Sequence, residues 1–192
     1  MAMKLLNIPS GLISNSVSRV YFKDATEKEH TGGRAREYTY EVSRIVTGIY
    51  FIPVIGIMLL GQWVIPFVLG AEWSGSVIYI KIMAIWNLFA IAVNCTGGLI
   101  AIIHEQRFGM LISISKLFIF PISMIGVSLI FDSPVVTIFT FAITYSIINV
   151  IQHEYLIGSK EGYRFKIVKM QMFFAVFCSL FFILGNIIAV VF

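Results

Sequence analysis

Two His-Glu dipeptides, His104-Glu105 and His153-Glu154, and two cysteines, Cys95 and Cys178, are the obvious candidates for metal or nucleophilic chemistry. Neither dipeptide has the second histidine four residues on that a zinc-binding helix supplies. Each stands at the end of a long apolar run, where the dipole of a helix favours an imidazole. The cysteines lie inside apolar runs and read as small buried hydrophobes rather than as a disulfide or ligand pair. The sequence therefore predicts no catalytic residue, no metal site and no cofactor. What it offers is charge in unusual places. Lys116 and Lys81 interrupt hydrophobic stretches, and a cation there can meet an anion that hydrocarbon would exclude.

The elements that position these lysines follow from composition. Of 192 residues, 58% are hydrophobic and only 12% charged, about half the charged share of a soluble domain. Too little polar side chain remains to cover a water-facing surface, so the bilayer is the expected environment, with membrane lipid as a partner and nucleic acid excluded. Half of the charges fall within residues 1–44; beyond Arg44 the uncharged runs are 45–71, 82–103, 117–131, 133–153 and 170–192. A helix needs about 20 apolar residues to cross the hydrocarbon core. The third run reaches that length once Lys116 is allowed inside it. The prediction is an all-α integral membrane bundle with five complete spans, about 45–69, 77–102, 109–131, 134–157 and 168–192. Barrel strands are excluded because the runs are unbroken rather than alternating.

Residues 1–22 are weaker. Apolar residues alternate with Asn7, Ser10, Ser14, Asn15, Ser16 and Ser18, which predicts the partial, cytoplasmic half of a membrane helix ending near Tyr21-Phe22-Lys23. The segment 23–44 reads as cytoplasmic and amphipathic, broken at Thr31-Gly32-Gly33. The chain thus reads as starting in mid-architecture.

Connecting segments alternate between basic and nearly chargeless. Residues 1–44, 103–116 and 154–169 carry all the lysines and arginines except Lys81, while 70–76 and 131–134 hold only Glu72 and Asp132. The positive-inside rule places the basic face in the cytoplasm and the carboxy terminus outside. Trp63 and Trp73 fit aromatic anchors at the outer interface. The outer loops are too short to build a catalytic site, so an enzyme is not expected.

A lysine at the depth of Lys116 either snorkels to the cytoplasmic headgroups or faces an internal cavity. With Arg44, Arg107 and Lys81 it is a candidate to meet an anionic substrate. Asn94 and Thr96, with Asn149, are candidates to join helices or to line a wet cavity.

The order of these features is that of a known group. A polar-faced helix with Pro9 ends in Tyr21-Phe22, and a charged segment follows. A span with Pro53 ends Pro66-Phe67-Val68-Leu69-Gly70-Ala71-Glu72-Trp73, and Ser76-Val77, Ile80-Lys81-Ile82, Asn94 and Gly97-Gly98 come after it. This resembles the carboxy-terminal half of the Wzx-type O-antigen flippases, in the polysaccharide-biosynthesis branch of the multidrug/oligosaccharidyl-lipid/polysaccharide exporter superfamily. The match is strongest over about residues 7–120 and only hydropathic afterwards. The resemblance implies one bundle of a two-bundle translocase that moves undecaprenyl-pyrophosphate-linked oligosaccharide across the bacterial inner membrane through a cationic cavity. It further implies that Lys81 and Lys116 touch substrate, that Trp73 marks the outer turn, and that the amino-terminal bundle is a separate chain or an upstream part of a longer reading frame. Two alternatives stand beside it. An ion-coupled small-molecule exporter of the same fold would need a buried carboxylate, which no span holds in its middle; a non-transporting subunit or inert remnant would not.

Overall fold

The computed structural model describes residues 2–158 and 165–191, and every regular element among them is helical. Lys160 and Arg164, assigned above to the last basic loop, lie outside the described residues, as does Phe192 at the end of the fifth anticipated span.

Helix α1 (Ala2–Gly32) runs without interruption past Phe22 and Lys23, where the sequence suggested an end. Its serine and threonine hydroxyls do not break it, because they bond back to carbonyls one turn earlier: Thr26 to Phe22 and Thr31 to Glu27. It stops at Gly33, whose positive φ of 63° is open to glycine at little cost. There the Gly33 N–H donates to the Glu29 carbonyl, closing the helix end in the manner of a left-handed C-terminal cap, and the Arg34 N–H donates to the Lys28 carbonyl. Helix α2 (Ala35–Leu69) folds straight back. The Glu29 carboxylate accepts from the Ala35 N–H, one of the donors that a helix start leaves unsatisfied. Along the hairpin, Tyr21 and Tyr38 stack at 5.9 Å and Tyr38 donates to Asp24 Oδ2.

At 35 residues α2 is about 52 Å long, well beyond a hydrocarbon core of roughly 30 Å. It keeps Pro53 and Pro66 inside. Gly70 ends it, and the 3-10 turn Ala71–Ser76 leads into α3 (Val77–Thr96). Trp73 is half-buried in that turn, against the cluster formed by Met58, Ile65, Val77 and Ile80.

Helix α3 is the centre of the bundle. It packs against α1, α2, α6 and α7, so thirteen of its twenty residues are buried. The expected span to residue 102 is not one helix: it breaks at Gly97-Gly98 and resumes as the single turn α4 (Leu99–Ile102). A Cβ on Gly98 would lie 2.7 Å from the Phe22 ring, so the glycine is what lets α1 close on α3.

Helix α5 (Gln106–Ile130) packs mainly on α6 (Pro134–Ile157) and has no fully buried residue. Helix α7 (Lys166–Val191) lies on α2 and α3, where Phe174 stacks on Phe51 at 4.0 Å. Among the described residues, α2, the α3 region with its flanking turns, α5 and α6 are each long and apolar enough to cross a membrane. The fifth anticipated span falls on α7. The α1–α2 turn, the 103–105 loop and the end of α6 meet at one end of the bundle, where Tyr21, Ala25, Leu99 and Leu156 share a core. That end carries the basic segments; Glu72 and Asp132 belong to the turns at the other.

Candidate functional site

Lys116 lies ten residues into α5, about 15 Å along its axis. Facing it, α6 presents Tyr145, Asn149 and Gln152, spaced four and three residues apart and therefore on one helical face. The Lys116 ammonium donates to Asn149 Oδ1 at 3.1 Å and to Gln152 Oε1 at 2.9 Å, and it lies 5.4 Å from the centroid of the Tyr145 ring. The cradle is made of two neutral carbonyls and a ring face. Among the described residues no carboxylate pairs with Lys116, so its charge is solvated but not neutralised. Lys116 is only partly covered, whereas Asn149 is 2% exposed.

A second polar seam adjoins this cradle. Thr39, Ser43 and Thr47 recur every four residues on α2 and are all buried. Tyr21 shares a hydrogen bond with Thr39, and His153 Nε2 lies 2.9 Å from Ser43 Oγ. The Ser43–His153 contact sets an antiparallel register that brings Thr47 level with Asn149, each one turn on. Thr47 Oγ1, Asn149 Nδ2 and His153 Nδ1 are buried and have no hydrogen-bond partner among the described residues. Such atoms cost about 1–3 kcal/mol each unless water or a ligand meets them. Outside the apolar layer, burial and the neighbouring Asp24 carboxylate raise the Tyr38 phenol above its ordinary value, so it remains a donor to Asp24 at neutral pH.

The other anticipated residues are distributed differently. Asn94 is exposed and on the outside of α3, so it does not meet Asn149. Thr96 is buried, but its hydroxyl donates to the Ala92 carbonyl of its own helix. Neither joins two helices through a hydrogen bond; of the three amide and hydroxyl candidates, only Asn149 does. Lys81 is fully buried near the far end of the bundle. Its stem lies against Gly61 and its ammonium 5.5 Å from the Phe182 centroid. That places it between α2, α3 and α7, away from the Lys116 cradle on α5 and α6. Arg44 and Arg107 are exposed at the basic end. Neither His-Glu dipeptide belongs to a group of possible metal ligands among the described residues. Gln152, Ser43 and Tyr145 are the members of the site that composition and charge did not single out; the four-residue spacings on α2 and α6 carried the signal.

Fold and site together define a multi-pass helical membrane protein with a lysine held by neutral groups between two of its spanning helices. Residues 1–78, which comprise α1, α2 and the turn into α3, match the family model described as polysaccharide biosynthesis protein. No curated protein and no solved structure gives a significant match to the chain.

Proposed function

We propose that this chain is one bundle of a flippase that carries a lipid-linked oligosaccharide, of the undecaprenyl-pyrophosphate type, across the inner membrane for surface polysaccharide or O-antigen assembly. The match of residues 1–78 to a polysaccharide biosynthesis family carries the reading. The Lys116 cradle supports it. A pyrophosphate cannot cross bare hydrocarbon as an anion, and a cation without a carboxylate partner is free to exchange its amide carbonyls for phosphate oxygens. In this reading the chain binds and moves its substrate and has no enzymatic step. Residues 1–44 face the cytoplasm, the carboxy terminus faces the periplasm, and a second helical bundle supplies the opposing wall of the path.

Lys116→Ala, in the transporter as it exists in the cell, should lower export of surface polysaccharide at unchanged protein level. Lys116→Arg should retain more export than alanine, because it keeps the charge. Normal export by the alanine variant at normal abundance would remove Lys116 from the path.

A further inference from the structure

A groove of about 510 Å³ runs between α6 and α7 over a floor of α3, with Trp86, Phe89, Ala142, Ile147 and Met172 among its lining residues. We propose that it holds one acyl chain of a resident anionic phospholipid whose phosphate sits by Lys169. The inference does not depend on what the bundle transports.

Chemistry comes first. Nearly all of the lining is apolar, and its two serine hydroxyls are already used: Ser146 donates to the Ala142 carbonyl and Ser179 to the Ala175 carbonyl. The lining therefore presents hydrocarbon with an almost wholly apolar face; its one polar atom without a partner among the described residues, the Trp86 indole nitrogen, is itself buried. Size comes second. From Phe139 to Ile151 the α6 wall runs about 18 Å, so the volume corresponds to a cross-section of roughly 30 Å². A single hydrocarbon chain fits within that section, whereas a helix at least 10 Å across, about 80 Å² in section, would rest over the open mouth rather than fill the groove. Charge comes third. The lining residues Val168 and Met172 of α7 flank Lys169, which is exposed at the basic end of the groove. A lysine there can reach back to the headgroup level and attract an anionic phosphate.

Trp86 lines the groove and reports on its content. The test uses the full chain in detergent with Trp63→Phe and Trp73→Phe, which leaves Trp86 as the sole indole of three. Phosphatidylglycerol brominated in its acyl chains should quench Trp86 saturably, about fivefold more tightly than phosphatidylcholine brominated in the same way. Lys169→Gln should erase that preference and leave the phosphatidylcholine titration unchanged. Ser146→Phe, which fills the groove, should abolish saturable quenching of both while helix content and elution volume stay the same. If that variant does not fold, the Lys169→Gln titrations decide. Non-saturable quenching that is equal for both lipids would overturn the proposal, as would full quenching in a folded Ser146→Phe protein. Displacement of the brominated lipid by a polyprenyl phosphate at lower concentration would also overturn it, by giving the groove to a different lipid.

Discussion

A buried hydroxyl and a buried imidazole that depend on each other make Ser43 and His153 the sharpest pair to test. Removing only Ser43 by Ser43→Ala leaves His153 Nε2 without its partner and should destabilise the bundle by about 1–3 kcal/mol. Removing both, as Ser43→Ala with His153→Leu, should recover much of that loss, since an apolar pair leaves nothing unsatisfied. Thermal unfolding in detergent distinguishes the two; a double variant as unstable as the sum of its parts would show that the pair does not interact. At this scale the sequence was partly legible. Lys116 stood out because charge inside an apolar run is rare. Its partners did not, because asparagine and glutamine in a span can face a cavity, a neighbour or their own helix with equal ease. Asn94 and Thr96 show the difficulty. They are two residues apart on α3, which turns one outward and the other inward, and nothing in their identity says which.

Helices were the most legible elements, because apolar runs of this length satisfy their own backbone only in that form. Breaks were less so. The continuity of α1 through Lys23 could not be read from a change in composition, since charged residues sustain a helix as well as apolar ones do. The interruption of the third region at Gly97-Gly98 was visible as a glycine pair, but its reason is tertiary: Phe22 of α1 occupies the space beside Gly98. Gly98→Ala should therefore loosen α1 rather than α3. Cysteines placed at Tyr21 and Thr39 in a chain with Cys95 and Cys178 replaced by serine should cross-link more slowly in the Gly98→Ala background. Adding Phe22→Ala should restore the rate. If Gly98→Ala cross-links as fast as its parent, the close approach of Phe22 and Gly98 does not control the docking of α1.

For the molecule as a whole, two features fit together. The helix at the centre, α3, packs against four other helices and has most of its side chains buried. The helix that carries the cradle lysine is at the edge and has no fully buried residue. An edge helix tied to α6 by Lys116, by the Phe108–Tyr155 stack at 3.7 Å and by the Phe120–Tyr145 stack at 4.7 Å can shift relative to the core at smaller cost than α3 can, because it has less packing to lose. The charge asymmetry gives this bundle its polarity: lysines and arginines gather where the α1–α2 hairpin, the 103–105 loop and the end of α6 converge. On that polarity rest the proposed orientation of the cradle and the proposed approach of an anionic substrate to it. Paired reporter fusions, one after Trp73 and one after Lys160, test it directly. Opposite compartments are expected, with the Trp73 fusion outside and the Lys160 fusion in the cytoplasm; both reporters in one compartment would contradict the proposed orientation.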